Sequence, residues 1–306
     1  MHGSHARMSG IWLPVITPFL EGRVDWKSYE ALLERYLGTG VSGIFPLGTT
    51  GESPTLGEDE IREIVDRTVA VVAGRVPVFV GIGGYATDHV VRQIERLQSL
   101  AFDGIVSVCP YYNRPGQDGL LQHFTRIAQA TDRPIVIYNI PYRTGVNLTN
   151  DTLLELARLP TIVGVKDSSG SLGQSLDLLR RRPEGFAVLT GEDASLYTML
   201  AHGGDGGILA SAHLATGLFV DVHERMAAND HRGARAVWSR LETLVPLLFN
   251  EANPMPIKYC LWRQGLISSP ECRLPLTRVS TGLAAQLDLA LEGMAQGAPA
   301  AASVRG

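Results

Sequence analysis

The sequence contains little cysteine and no long apolar run. Its 306 residues include three cysteines, Cys109, Cys260 and Cys272. This odd, widely spaced set argues against a disulfide framework and a structural zinc site, and it fits a reducing cytoplasm. No apolar stretch reaches the length of a membrane span. The polar segment 1–10 lacks the apolar core of a secretory signal, so we expect no membrane association and no secretion.

Charge of either sign is also sparse. Charged residues make up 19% of the chain and the formal net charge is -4, without any basic run. Nucleic acid and anionic membranes are therefore poor candidate partners. The eight histidines show no spacing typical of metal ligands, so we expect no metal cofactor. Hydrophobic residues make up 45%, which is an ordinary content for a globular protein.

Short β-branched runs alternate with longer amphipathic stretches over the first 230 residues. Most of the runs lack polar alternation, which is typical of parallel strands covered by helices on both sides. Eight such repeats favour a closed (β/α)8 TIM barrel over an open doubly wound sheet, the alternative architecture. The predicted strands are 11–17, 43–46, 78–81, 104–108, 135–138, 162–166, 187–191 and 206–210. The predicted helices are 26–37, 58–72, 88–100, 120–130, 150–158, 172–180 and 194–201.

The strand pattern stops near residue 230. Residues 231–248, 254–264 and 284–294 carry helical patterns, which predict a C-terminal helical appendage spanning 231–296. We expect the barrel, with the active site, to occupy 11–230. Segment 1–10 is expected to be a disordered tail or a tag remnant, and the Ala- and Gly-rich tail 297–306 to be frayed.

Lys166 lies at the end of an apolar strand, in the sequence Gly-Val-Lys-Asp at 164–167. Barrel active sites lie at the C-terminal ends of the strands. Burial disfavours the charged form of a lysine, which lowers its pKa and improves it as an amine nucleophile. The alternative is a lysine whose stem packs on the barrel while its ammonium reaches solvent.

Residues 48–53, Gly-Thr-Thr-Gly-Glu-Ser, follow the second predicted strand; we call this segment the hydroxyl loop. The two threonine hydroxyls and the backbone N–H groups of a glycine-rich turn suit a small anion such as a carboxylate. The alternative is a helix cap, in which Ser53 or Thr55 caps the helix that follows.

Tyr138 ends the fifth predicted strand, and Arg143 follows it closely. A phenol can transfer protons, and a guanidinium can bind a carboxylate through two hydrogen bonds. Tyr111 and Tyr112 follow the fourth strand and add two phenols. Aromatic packing under loops would explain any one tyrosine, but lysine, hydroxyls, phenols and arginine all follow barrel strands and so share one face.

Residues 81–86, Gly-Ile-Gly-Gly-Tyr-Ala, match a loose dinucleotide-binding spelling. They follow the third strand rather than the first, and a glycine turn over the barrel mouth explains them equally well. We therefore expect no nicotinamide cofactor.

Taken together, these motifs resemble the dihydrodipicolinate synthase/N-acetylneuraminate lyase family. The similarity covers 48–53, Pro-Tyr-Tyr-Asn-Arg-Pro at 110–115, 138–145 and 164–167. It continues through Gly-Glu-Asp at 191–193 and Gly-Gly-Ile at 206–208 into Asn-Glu-Ala-Asn-Pro at 250–254. The Arg-Thr-Gly at 143–145 favours the branch that condenses pyruvate with a small carboxylated aldehyde, L-aspartate 4-semialdehyde.

The resemblance implies a barrel enzyme, a homotetramer, that works without a cofactor through a covalent Schiff base. It also implies a role for each matching residue. The catalytic residues would be Lys166 as the Schiff-base nucleophile, Tyr138 as the proton shuttle, and Thr49 with Tyr112 of a neighbouring subunit as the rest of a hydroxyl relay. The substrate-binding residues would be Thr50 at the pyruvate carboxylate, Arg143 at the second substrate's carboxylate, and Gly191 and Ile208 in the pocket wall.

Four positions depart from the family pattern. Glu58, Tyr85 and His89 stand where members inhibited by L-lysine carry histidine, asparagine and glutamate, so we predict weak or no lysine inhibition. Tyr142 replaces a smaller residue, which keeps open a paralogue acting on a 2-keto-3-deoxy sugar acid by aldol cleavage or dehydration. A non-catalytic pyruvate-binding barrel is the remaining alternative, against which the complete lysine, tyrosine and threonine set argues.

Overall fold

Eight parallel strands form one sheet within residues 8–296, the part of the chain that the computed structural model describes. Each predicted strand is present. Residues 1–7 and the tail 297–306 lie outside the described residues, and the first strand begins at Gly10, inside the segment expected to be disordered. The strands are β1 Gly10–Leu13, β2 Gly43–Ile44, β3 Phe79–Gly81, β4 Gly104–Val108, β5 Ile135–Asn139, β6 Ile162–Asp167, β7 Ala187–Thr190 and β8 Gly206–Ile208.

The sheet closes on itself. Its strand order is β2-β1-β8-β7-β6-β5-β4-β3, and a parallel bridge between Ile44 and Val78 joins the two outer strands. The backbone N–H of Ile44 also donates to the carbonyl of Pro77 at 3.0 Å. Closure leaves no free sheet edge and confirms the predicted (β/α)8 barrel.

Helices follow the barrel strands, close to the predicted bounds. Two of them, Trp26–Leu37 and Glu58–Val72, match the prediction residue for residue. The helix after β8 was not predicted as a separate element. The other barrel helices are Thr87–Leu97, Gln117–Ala128, Asn150–Leu156, Leu172–Arg181, Leu196–Ala201 and Ala212–Ala227. A short hairpin, Phe19–Leu20 with Arg23–Val24, follows β1.

Alternate residues of the strands face the barrel interior and the helices. The interior holds one apolar cluster, which includes Trp12, Phe45, Tyr138, Leu189 and Ile208. The second, larger cluster fills the layer between the strands and the helices. Because Tyr138 and Ile208 belong to the interior cluster, two of the predicted site residues face the interior of the barrel.

Strand β1 is shorter than predicted, ending at Leu13 instead of residue 17. Residue 14 is a proline, which has no N–H group to donate to a neighbouring strand. The chain nevertheless stays beside β2, since the N–H of Val15 donates to the carbonyl of Phe45 at 3.0 Å.

The C-terminal region is helical, as predicted, with one difference. The single helix predicted for 231–248 is two helices, His231–Trp238 and Leu244–Leu247. Pro246 cannot supply an N–H in the middle of a long helix, so the chain turns and begins a new helix instead. The region continues with helices Met255–Arg263 and Thr281–Gln296.

Candidate active site

Lys166 lies near the C-terminal end of β6, inside the barrel. Its side chain is only 6% exposed, and its Nζ lies 4.1 Å from the ring centroid of Tyr138 and 5.6 Å from that of Phe45. Burial lowers the pKa of Lys166 to about 8, although the charges of Asp193 and Glu192 oppose this shift. About one tenth of the amine is therefore neutral at pH 7. The alternative of an ammonium that reaches solvent is wrong.

Tyr138 sits directly opposite Lys166 in the register of β5 and β6. Its side chain is buried, and burial raises the pKa of the phenol well above its usual range. The phenol is therefore protonated at neutral pH and can donate a proton close to the amine.

The hydroxyl loop meets the barrel mouth after β2. Thr50 is buried and accepts a hydrogen bond from Asn253 Nδ2 at 2.9 Å. Two of the loop's N–H groups are already used internally, because Gly51 and Glu52 donate to the carbonyls of Gly48 and Thr49. An anion at this loop would thus rely on the threonine hydroxyls more than the sequence suggested.

The helix-cap alternative for this loop is wrong. The helix Glu58–Val72 begins after Gly57, whose N–H donates to the Glu60 carboxylate at 3.0 Å. The Thr55 hydroxyl instead donates to the carbonyl of Glu52 at 2.9 Å, which holds the end of the loop in a tight turn.

A cavity of about 1070 Å³ opens above these residues. Thr49, Tyr138 and Arg143 line it, and Phe45 and Tyr138 are the two rings that Lys166 Nζ faces. Arg143 is exposed, with its guanidinium carbon 5.8 Å from the ring centroid of Tyr142. Lys166 itself is not among the lining residues; its amine lies against two rings that are. The lining thus offers a phenol and a guanidinium, two groups that a carboxylated substrate can use.

Gly191 packs beside Lys166, and Ile208 shares the interior cluster with Tyr138; neither lines the cavity. A Cβ atom on Gly191 would lie 2.7 Å from Lys166 Cε and 2.2 Å from Ser168 Oγ, so a larger residue would displace the lysine. Ile208 is 1% exposed within the interior cluster that contains Tyr138.

Tyr112 does not join the other site residues. It is 88% exposed, takes a φ of 67° and is absent from the cavity lining of the described chain. Its neighbour Tyr111 does line the cavity and packs edge-to-face on Tyr85, with the ring centroids 5.7 Å apart. One chain alone therefore does not place Tyr112 near Lys166.

Sequence reasoning gave no role to two carboxylates beside Lys166. Asp193 is buried and accepts hydrogen bonds from the backbone N–H and the hydroxyl of Ser211. Burial raises its pKa to about 6. Burial also raises the pKa of Glu192, and Glu192 Oε1 is a buried oxygen without a hydrogen-bond partner in residues 8–296. In the sequence, the feature that could have indicated a role for both carboxylates is their position directly after Gly191.

The glycine motif at 81–86 supports the barrel-mouth alternative. A Cβ atom on Gly81 would lie 2.2 Å from the carbonyl oxygen of Leu47, and one on Gly83 would lie 2.7 Å from Val108 Cγ1. Close backbone packing thus accounts for both glycines.

Within residues 8–296, no three His, Cys, Asp or Glu side chains are grouped so that they could hold a metal ion. None of the helices described there combines the length and apolar character of a membrane span.

A buried amine at the C-terminal end of a barrel strand, facing a phenol, defines the class: a Schiff-base-forming lyase on a (β/α)8 barrel. The profile of the dihydrodipicolinate synthetase family matches residues 7–293. The chain belongs to this family.

Relatives and solved structures agree with this assignment. The chain is 48% identical over 282 residues to 4-hydroxy-tetrahydrodipicolinate synthase 2 of Clostridium acetobutylicum, covering 92% of this chain and 99% of the relative. Its fold matches the crystal structure of dihydrodipicolinate synthase from Thermotoga maritima with a TM-score of 0.92 and 35% identity, over 94% and 99% of the two chains. The enzyme from Acinetobacter baumannii, solved in complex with pyruvate, matches with a TM-score of 0.91, 35% identity and the same coverage.

Proposed function

We propose that this chain condenses pyruvate with L-aspartate 4-semialdehyde to form 4-hydroxy-tetrahydrodipicolinate through a Schiff base on Lys166. The relatives support the reaction by name, and one neighbouring structure contains pyruvate. The observation that carries the proposal is the buried amine of Lys166, with its lowered pKa, against the phenol ring of Tyr138.

The lysine content of the chain supports the same assignment. The sequence has three lysines, at positions 27, 166 and 258. Lys27 is exposed on a helix, and Lys258 is fully buried in an ion pair with Glu52. Lys166 is therefore the lysine that combines burial, a lowered pKa and a place beside the cavity.

The reaction proceeds by a balanced set of bond changes. The neutral amine of Lys166 attacks C2 of pyruvate, and one water leaves to give the imine. The imine withdraws electrons, so a methyl proton is lost and an enamine forms, which attacks the aldehyde carbon of the second substrate. The substrate's own amine then attacks the imine carbon, closes the ring and releases Lys166. These steps involve neither a metal ion nor an organic cofactor.

Each of these steps moves a proton, and Tyr138 is suited to carry it. Its phenol is protonated at neutral pH and lies against the amine. In the proposal Thr49 and the partner's copy of Tyr112 extend the relay towards solvent. Thr50 holds the pyruvate carboxylate, Arg143 binds the carboxylate of the aldehyde at the cavity rim, and Gly191 and Ile208 shape the base.

Borohydride trapping with a substrate panel tests the reaction. Pyruvate plus borohydride should place one adduct on Lys166 by peptide mass, in wild type and in a Lys27→Ala control but not in Lys166→Ala. Wild type should then condense pyruvate with L-aspartate 4-semialdehyde and leave 2-keto-3-deoxy sugar acids uncleaved. A folded wild type without an adduct would support the non-catalytic barrel as the alternative. Cleavage of the sugar acid would support the paralogue that the residue at Tyr142 suggests.

Subunit complementation tests the role of Tyr112. Because its side chain is exposed and does not line the cavity of its own chain, we infer that it completes the site of a neighbouring subunit, within at least a dimer and, by resemblance, a homotetramer. Lys166→Ala and Tyr112→Phe chains, refolded together in equal amounts, should recover about one quarter of wild-type activity. Half of randomly paired dimers are hybrids, and each hybrid has one intact site of two. No recovery would place Tyr112 in its own subunit's site, and wild-type activity of Tyr112→Phe alone would place it outside the mechanism.

A further inference from the structure

Asn253 belongs to the C-terminal region, yet its side chain lies in the candidate active site. It is 8% exposed and lines the same cavity as Thr49 and Tyr138. Its Nδ2 donates to Thr50 Oγ1 at 2.9 Å, across 203 positions of sequence. Its Oδ1 is buried and has no hydrogen-bond partner in the part of the chain described, residues 8–296. A polar side chain from outside the barrel thus contacts the hydroxyl loop directly.

The direction of this hydrogen bond matters for Thr50. A threonine hydroxyl has one proton to donate and two lone pairs to accept with. Because the Asn253 amide donates, it occupies a lone pair of Thr50 Oγ1 and leaves the hydroxyl proton available. That proton is what Thr50 needs if it is to donate to a carboxylate, and a hydrogen bond to a charged acceptor is stronger than a neutral one.

We propose that Asn253 is a positioning residue that directs the Thr50 hydroxyl proton towards the carboxylate of pyruvate. It acts through Thr50. This inference rests on the proposed function, because Thr50 has that task only if the site binds an α-keto acid.

Other contacts fix the hydroxyl loop independently of Asn253. The Glu52 carboxylate forms a buried ion pair with Lys258 and accepts from the backbone N–H of Arg273 at 2.9 Å. The Thr17 hydroxyl donates to the carbonyl of Gly51 at 2.8 Å. Truncation of Asn253 therefore removes one side-chain hydrogen bond to Thr50 while the backbone of the loop stays anchored.

The test separates substrate binding from turnover. Asn253→Ala should raise the KM for pyruvate about tenfold, equal to about 1.4 kcal/mol, and change kcat by less than about threefold. Asn253→Asp should raise this KM further, to about 100-fold, because a carboxylate accepts the Thr50 proton and repels the substrate. An unchanged KM, or a fall in kcat alone, would overturn the proposal.

A double-mutant cycle with Thr50→Val excludes a merely structural effect. Thr50→Val alone should raise the pyruvate KM, and adding Asn253→Ala to it should raise this KM by less than about twofold, since the hydroxyl that Asn253 orients is gone. A full tenfold increase in that background would refute positioning. If wild type forms no borohydride adduct with pyruvate, the proposed function and this inference both fall. If wild type is trapped and Asn253→Ala keeps a normal pyruvate KM, only the inference falls.

Discussion

Lys258 and Glu52 form a buried ion pair between the C-terminal region and the hydroxyl loop. Their side chains are 0% and 1% exposed. Lys258 Nζ also donates to the carbonyl of Glu271 at 2.8 Å and lies 4.1 Å from the ring centroid of Phe19. Burial lowers the pKa of Lys258, and the charge of Glu52 opposes that shift. Water does not solvate either charge in the folded protein. Removing one partner therefore leaves the other as an uncompensated buried charge.

Lys258→Met is the informative change, because it keeps the length of the side chain and removes the charge. The Glu52 carboxylate then stays buried, with the backbone N–H of Arg273 as a remaining donor. Removing one partner of a buried pair costs about 3–5 kcal/mol of the free energy of unfolding. Adding Glu52→Gln removes the orphaned charge, so the double variant should lose no more than about 2 kcal/mol, far less than the sum of the single losses.

Urea unfolding at constant protein concentration measures each loss from the midpoint and the slope. Arg235→Met is the matched control, since it removes an ion pair with Glu242 whose side chains are 51% and 45% exposed, and it should cost less than about 1 kcal/mol. A loss for Lys258→Met as small as that of the control would refute the burial argument. Additive losses in the double variant would show that the two residues act separately.

Three further predictions follow from the pKa of Lys166 and from the cavity wall. Burial lowers the pKa of Lys166 to about 8, so trapping at low pyruvate should rise with pH through about 8 and then level off; a flat profile from pH 6 to 9 would contradict this. Because the unfolded lysine binds its proton up to about pH 10.4, Lys166→Met should raise the free energy of unfolding at pH 7 by about 3 kcal/mol. That gain should vanish as the pH rises from 8 to 10.4, and urea unfolding at pH 7 and pH 10 measures it. L-Lysine should inhibit weakly or not at all, since the Glu58 carboxylate pairs with Arg96 and Tyr85 and His89 replace the family's polar partners; a micromolar inhibition constant in a steady-state assay would refute this.

The barrel strands were predictable because burial leaves a clear composition signal. Runs such as 135–138 are apolar on both faces, and their alternation with helices specifies the layers. Closure was inferred from the number of strands, but the contact that closes the ring, between Ile44 and Val78, could not be read from the sequence. That contact depends on how far each strand is shifted against its neighbour, and strands buried on both faces carry little information about register.

The site was predictable only where it follows the barrel strands. Lys166, Tyr138 and Arg143 were identified because the C-terminal ends of parallel strands meet on one face. Asn253, although it lies in the motif at 250–254, and Lys258 received no role, because they belong to another part of the chain and contact the hydroxyl loop across more than 200 positions of sequence. A signal for Lys258 did exist: it is one of three lysines and lies in an apolar helix, Met255–Arg263. A lysine so placed needs a buried carboxylate as its partner.

The two buried lysines differ in whether a carboxylate stabilises their charge. Burial lowers the pKa of both, but the carboxylate of Glu52 contacts Lys258 and stabilises its charge. Lys166 faces aromatic rings instead, and within residues 8–296 it makes no ion pair with a carboxylate. Asp193, the carboxylate whose charge acts most strongly on Lys166, is itself held by hydrogen bonds from Ser211. Because the charge of Lys166 is left without a contacting partner, its neutral form is accessible near neutral pH, and a neutral amine is the form that can attack a ketone.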